Sequence, residues 1–430
     1  MKKIFLVASC IAAGFLSAQF NIAVQIPQDF NEKEAILYTL NGSKDIASAK
    51  GTVSGNSIKM KFPTRYLGMM KLYLPNSNNN INFISENKDV NIKLESNGKG
   101  KISNIVYLDE ANNLMNQIQD LSQKQEVILP ALNQIKDYYK DNTDFSKALT
   151  AEIQRLNANL SAVDPSKHPF ISFYNNGSNK FLSKGDSKPK VSQDDVISYI
   201  EKSGDMLESS SLLRPILLDY LNSAGNANVT VAVDKLIDKL NVETPRGQVV
   251  LSEIIDIFDA YGMNEFKDKY LNYAKNLKCT INDRLNMTIT SNANVALGAT
   301  FPDYKFQSAL NTTAKSIKDV KADKKIIVFW SSTCSHCETE LPKLLKVYNE
   351  LKTKNVQVIG LSLDSSKENY LAKANIYPWI NDSELKGWNS SYVDTYNVHA
   401  TPNYFILDAN NKIISKPDHV ADVLEYFKLK

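Results

Sequence analysis

The stretch KKIIVFWSSTCSHC, residues 324–337, constrains the fold more than any other part of this 430-residue chain. Its first half is a short β-branched and aromatic run suited to a buried strand, and its second half separates Cys334 from Cys337 by Ser335 and His336. Downstream, Leu341, Leu344, Leu345, Tyr348 and Leu351 recur at helical spacing, and VQVIGLSLD (356–364) reads as a second strand. The unit is therefore strand, helix, strand, with the cysteines at the first junction. PNYFILD (402–408) and KIISK (412–416), joined by ANN, predict a hairpin. DHVADVLEYFKLK (418–430) closes the section as a helix that buries Val420, Val423, Leu424 and Phe427 and is capped by Asp418.

A cysteine at a strand-to-helix junction faces the first-turn amides and the positive end of the helix dipole. This predicts a lowered pKa and a larger thiolate fraction for Cys334. Cys337, one turn on, shares its face of the helix and can attack a mixed disulfide formed by Cys334. Two other roles compete. A zinc site usually needs four nitrogen or sulfur ligands; the chain has no second Cys-x-x-Cys, which leaves His336 and His399 as candidate additions. A purely structural disulfide would close so small a loop that it removes little chain entropy. A redox pair is the expectation, with the Cys334–Cys337 disulfide as its only redox group, no cofactor and no metal.

Compartment bears on this choice. The first residues, MKKIFLVASCIAAGFLSAQ, have a charged start, an apolar stretch and small residues near the end. They predict a signal peptide over residues 1–18, cleaved after Ala18, in preference to a buried first helix. Lipid attachment at Cys10 is disfavoured, because the apolar stretch before it is very short and IAAGFL continues it afterwards. Export would place Cys279, Cys334 and Cys337 outside the reducing cytosol, where a disulfide persists. An odd, sparse set of three does not make a disulfide scaffold. The net charge of +3 includes Lys2 and Lys3 of the leader, so no general basic field points to nucleic acid. No later apolar run is long enough to span a bilayer.

The upstream sequence changes period once. Residues 19–106 alternate apolar and polar positions in short runs such as SIKMKF (57–62), MKLYL (70–74), NINFI (80–84) and DVNIKLE (89–95), with turn-formers between them. They predict a small antiparallel β-domain, sandwich-like, with one wet face and a recognition or spacer role. Residues 107–290 switch to apolar spacings of three and four. Leu251, Ile254, Ile255 and Phe258 form one such stripe, and a helical bundle is the simplest way to bury it. Within this region NNGSNKFLSKGDSKPKVSQDD (175–195) reads as an exposed loop. The expected architecture is multidomain: β-domain, helical middle region, and an α/β domain over 299–430.

FWSSTCSHCETELP resembles the active-site segment of thioredoxin-fold proteins, in the AhpC/TSA-type superfamily, and is most similar to the exported TlpA and ResA type of thiol:disulfide oxidoreductase. The likeness runs from about Ala299 to Lys430. It includes the aromatic pair Phe329 and Trp330, with Trp330 as a tuning residue of the redox centre, and Pro342 five residues after Cys337. ATPNYFILDANNKI resembles the family segment that carries a cis-proline. By that likeness Thr401 and Pro402 face the cysteine pair, and the Thr401 backbone pairs with an extended client segment. ResA-like proteins carry a glutamate where this chain has Glu340, and the buried aspartate of thioredoxin falls at Val328 here. Glu340 would relay a proton to and from Cys337, whereas Glu338 would be solvated. His336 departs from the dipeptides of reductive members and is shared with oxidising and isomerising branches. Protonated, it would stabilise a Cys334 thiolate and make the disulfide more oxidising.

The resemblance implies an exported reductase of the periplasm or cell envelope of a Gram-negative bacterium, exchanging disulfides with protein clients and fed by a membrane electron-transfer partner. Its competitors are an oxidase or isomerase of disulfides, a thiol peroxidase, and a binding module with a vestigial redox domain. The peroxidase is weakened because Thr333 and Cys334 do not supply the P-x-x-x-T/S-x-x-C spacing of peroxiredoxins. Cys279, outside the matched region, is expected as a buried free thiol.

Overall fold

A computed structural model describes residues 20–98, 100–139, 143–157, 163–182 and 191–429, so the expected leader and Cys10 lie outside the described residues. The described chain opens with strands β1 (Phe20–Gln25), β2 (Glu34–Asn41), β3 (Lys44–Ser54), β4 (Ser57–Phe62), β5 (Leu67–Leu74), β6 (Asn79–Glu86), β7 (Val90–Ser96) and β8 (Ile102–Tyr107). Helices follow: α1 (Glu110–Lys136), α2 (Asp144–Asn157), α3 (Pro169–Gly177), α4 (Gln193–Lys202), α5 (Leu213–Ala224), α6 (Val229–Leu240), α7 (Pro245–Ala260), α8 (Asn264–Lys275) and α9 (Asp283–Asn294). The last section alternates β9 (Lys324–Trp330), α10 (Ser335–Thr353), β10 (Val356–Ser362), α11 (Lys367–Ala374), β11 (Ile380–Ser383), α12 (Ser391–Thr395), β12 (Asn403–Asp408), β13 (Ile413–Ser415) and α13 (Val420–Tyr426). By their contacts the residues form two units. One holds residues up to 40, 45–190 and 204–212; the other holds 41–44, 191–203 and 213–430. The helical stretch is thus shared between them.

In the first unit the period-two runs become strands whose alternate side chains are buried, as in β4, where Ile58, Met60 and Phe62 point inward. They join one eight-stranded sheet, in the order β6-β5-β2-β3-β4-β1-β7-β8. This corrects the expected sandwich: one sheet curls on itself in place of two packed sheets, and β1 and β7 run parallel. The outer strands approach each other, with the Tyr107 hydroxyl donating to the Asn82 carbonyl at 2.6 Å and Asn79 Nδ2 donating to the Gly100 carbonyl at 3.1 Å. Alternation specifies which side chains face inward but not which strand pairs with which. On the edge strand β6, the Asn112 side chain accepts from the Ile84 amide and donates to its carbonyl, which satisfies backbone groups that an open edge would expose.

Met115, Ile118, Phe170 and Ile171 of α1 and α3 pack with Ile84. Buried Glu86 accepts from the amides of Phe170 and Ile171 at the start of α3 and lies 2.8 Å from His168 Nδ1. The bundle expectation fails along the second half of α1, where Val127, Ile128 and Ile135 are exposed. The expected loop at 175–195 is corrected at its start, since α3 runs to Gly177 and a π-helical turn continues over Ser178–Leu182.

The second unit holds the stripe of α7, whose Leu251, Ile254, Ile255 and Phe258 are fully buried. Beneath it the Arg284 guanidinium donates to Glu253 at 2.8 Å and to Asp256 at 2.6 Å, and Thr288 completes the group. Every charge there has a partner, which is the condition for burying it. The C-terminal sheet has the order β11-β10-β9-β12-β13. β9, β10 and β11 are parallel, and β12 runs antiparallel to β9 with Asn403 opposite Phe329. The start of β12 and the end of β9 therefore meet at one end of the sheet's central strands. The final helix begins one residue later than expected: His419 is its N-cap, and Asp422 accepts from the His419 amide at 2.9 Å. No helix among the described residues is long and apolar enough to cross a membrane.

Candidate functional site

The apolar run of β9 ends at Trp330, and the polar SSTC segment cannot extend a buried strand, so the chain turns and α10 begins. Cys334 is the N-cap of α10, and its sulfur receives the Cys337 amide N–H at 3.1 Å. Cys337 lies in the first turn, 2% exposed, within the same apolar cluster as Trp330, Leu341 and Tyr404. Both cysteines are free thiols, and Cys334 is partly exposed. Burial pushes the Cys337 thiol up to about 12, helped by the hydrogen bond and charge of Cys334. Cys337 therefore keeps its proton at neutral pH, and Cys334 is the sulfur that water and a partner can reach.

The start of β12 brings the other wall. The Thr401–Pro402 bond is cis, and the Cys334 thiol donates to the Thr401 carbonyl at 3.1 Å. Glu340, on the same face of α10 as Cys337, is 9% exposed. It accepts from the Tyr404 hydroxyl at 3.1 Å and from the Val420 amide at 3.0 Å, and its other oxygen is 3.1 Å from His419 Nδ1. The His419 side chain is 72% exposed, so it bridges this buried carboxylate to solvent. Tyr404 is held well above the usual tyrosine range, first by burial and then by the charges of Glu340, Cys337 and Cys334.

Of the other residues named from sequence, Trp330 is a core side chain set against Tyr377 and Tyr370, and its indole nitrogen has no hydrogen-bond partner in the described structure. His336 is exposed on α10. Glu338 is exposed and pairs with Lys373 at 2.9 Å. His399, weighed above as a metal ligand, contacts Asn397 and Asp259. Cys279 is partly exposed where burial was expected, because it lies on the connection between α8 and α9; Gln248 Nε2 donates to its sulfur at 3.5 Å.

Sequence reasoning missed Asp364, which ends the β10 run and is 4% exposed. It accepts from the Ser332 amide at 3.0 Å, the Ser332 hydroxyl at 2.6 Å and the Ser331 hydroxyl at 3.1 Å, and so pins the turn that presents Cys334. Ser362 donates to its second oxygen at 2.6 Å. The available signal was an acidic residue closing an otherwise apolar strand. Tyr404 was missed because strand pairing, and His419 because the return of the last helix, not local spacing, brings each to Glu340.

A family model described as Redoxin matches residues 296–423. The thiol-disulfide oxidoreductase ResA of Bacillus cereus is 28% identical over 104 residues, 23% of this chain and 57% of its own length. The ResA of Bacillus subtilis is 20% identical over 133 residues, 30% of this chain and 71% of its own. The chain spans little more than half the length of the first of these relatives. Among solved structures, the thioredoxin domain of a thiol-disulfide oxidoreductase from Bacteroides vulgatus aligns at 26% identity with a TM-score of 0.28, over 31% of this chain and 98% of that one. The C-terminal section is a thioredoxin-fold domain with a Cys-x-x-Cys pair that matches ResA-type oxidoreductases, preceded by a β-domain and a helical region.

Proposed function

We propose that the protein is an exported thiol:disulfide oxidoreductase that reduces disulfides in protein clients. The observation that carries this reading is the asymmetry of the pair: Cys334 partly exposed at a helix start, Cys337 buried behind it with its thiol pushed up to about 12. Cys334 attacks one sulfur of a client disulfide, forming a Cys334–client bond and releasing the other client sulfur, which takes up a proton. Cys337 then loses its proton and attacks Cys334 Sγ; the second client thiol leaves, and Cys334 and Cys337 become a disulfide. Two electrons pass to the client, and a dithiol carrier supplied across the membrane restores the pair.

Glu340 receives the Cys337 proton and His419 hands it to water, a route supported by the contacts among Glu340, Tyr404 and His419. The Thr401 backbone aligns an extended client segment beside Cys334. His336, exposed in the turn before Cys337, tunes the potential. The periplasm or cell envelope is the compartment in which such exchange has substrates.

Replacing Cys337 by Ser removes the resolving thiol. The expected outcome is accumulation of mixed disulfides on Cys334, visible on non-reducing gels and released by dithiothreitol. Absence of any covalent client in the exporting cell defeats the reading. The reduction potential of the pair separates reductase from oxidase, a strongly negative value favouring reduction.

A further inference from the structure

The helical part of the second unit reaches the loop that carries Thr401. Asp259, at the end of α7, has a side chain only 11% exposed. Its Oδ1 accepts from Lys267 Nζ of α8 at 3.2 Å. Its Oδ2 accepts from Asn397 Nδ2 and lies 3.3 Å from His399 Nε2. His399 Nε2 is also 3.1 Å from Asn397 Oδ1, so carboxylate, amide and imidazole form a closed triangle. Asp259 sits below its ordinary range, near 2: burial works against this, and it is outweighed by the His399 hydrogen bond and the charges of Lys267, His399 and Lys416.

Asn397 has a φ of 52°, the left-handed conformation that asparagine tolerates better than most residues. Tyr396 and Val398 beside it are buried, so the backbone here is held from below by packing and from the side by Asp259. His399 is two residues ahead of Thr401, a span of at most about 7 Å of chain. Only this short stretch of chain separates the imidazole from the Thr401 carbonyl, which receives the Cys334 thiol.

We propose that Asp259 is a positioning residue for the Thr401–Pro402 loop, through which the helical region sets the redox behaviour of Cys334. The inference rests on thiol–disulfide exchange at Cys334 and assigns the preceding helices a part in it. Holding the Thr401 carbonyl in place stabilises the dithiol form, and releasing it makes the disulfide relatively more stable.

The test uses the full chain with Asp259→Asn, which keeps the side-chain volume, His399→Ala, and the double substitution. The potential of the Cys334–Cys337 pair is measured in glutathione redox buffers. Each single substitution is expected to make it more negative, by about tenfold in the exchange constant or ~30 mV. The double substitution is expected to go no further than either single one, the mark of residues acting through one contact. Potentials equal to that of the unsubstituted protein overturn the proposal, as do effects that add, whatever happens to thermal stability. Glutathione is itself the partner in this measurement, so failure to trap a client with Cys337→Ser would defeat the functional reading while leaving these outcomes readable.

Discussion

Cys334 and Cys337 are one helical turn apart and differ in their access to water. With its thiol pushed up to about 12, only about one Cys337 in 10⁵ is thiolate at pH 7. Iodoacetamide added to the reduced protein should therefore label Cys334 and spare Cys337, whereas both should be labelled in denaturant; peptide mass spectrometry distinguishes the two, and equal labelling of the folded protein would contradict the assigned asymmetry. The pair itself was legible from a few neighbouring letters, because a strand-forming run followed by helical spacing dictates where each sulfur falls. Glu340, Thr401 and Pro402 became visible only through family likeness, since nothing local marks them. Asp364 is marked in the sequence only as an acidic residue after an apolar run, and His419 is marked by neither route. Their partners, Ser332 and Glu340, are 32 and 79 residues away in sequence, and only the parallel pairing of β9 with β10 and the return of the last helix bring them together.

Helices that look alike in sequence differ sharply in what covers them. The α7 stripe is enclosed by neighbouring helices, while the second half of α1 leaves Val127 60% exposed. Ile254→Ala should lower stability by about 3 kcal/mol, the range for emptying a filled core site, whereas Val127→Ala should stay within about 0.5 kcal/mol. Urea titration followed by circular dichroism reads both, and similar losses would mean that α1 is covered after all. The reason lies in the limits of periodicity, which identifies an apolar face but is silent on whether another element arrives to meet it. The β-domain teaches the same lesson, since its alternating runs were read correctly as strands and their arrangement as a sandwich was not.

At the scale of the whole molecule, stability should depend on acid through buried Asp259, whose carboxyl is held below its ordinary range. Asp259 shows the sign. Its pKa in the folded protein lies near 2, below its ordinary 3.8, so its contribution is complete above about pH 4 and is lost as the pH falls toward 2. The contribution is about 2 kcal/mol. The stability gap between the unsubstituted protein and Asp259→Asn should therefore be widest near neutrality and close between pH 4 and 2, as followed by urea midpoints at each pH. A gap that widens on acidification would reverse the assignment.

The antiparallel return of β12 alongside β9 has a further consequence, in time. On a growing chain the two cysteines leave the ribosome long before Thr401, which follows Cys334 by 67 residues. Until the last strands and helix are made, the pair has neither the carbonyl that receives Cys334 nor the residues that hold Glu340. A chain cut short before Thr401 would keep the whole Cys-x-x-Cys motif and lack the site, so inspection of the motif alone would score a broken gene as intact.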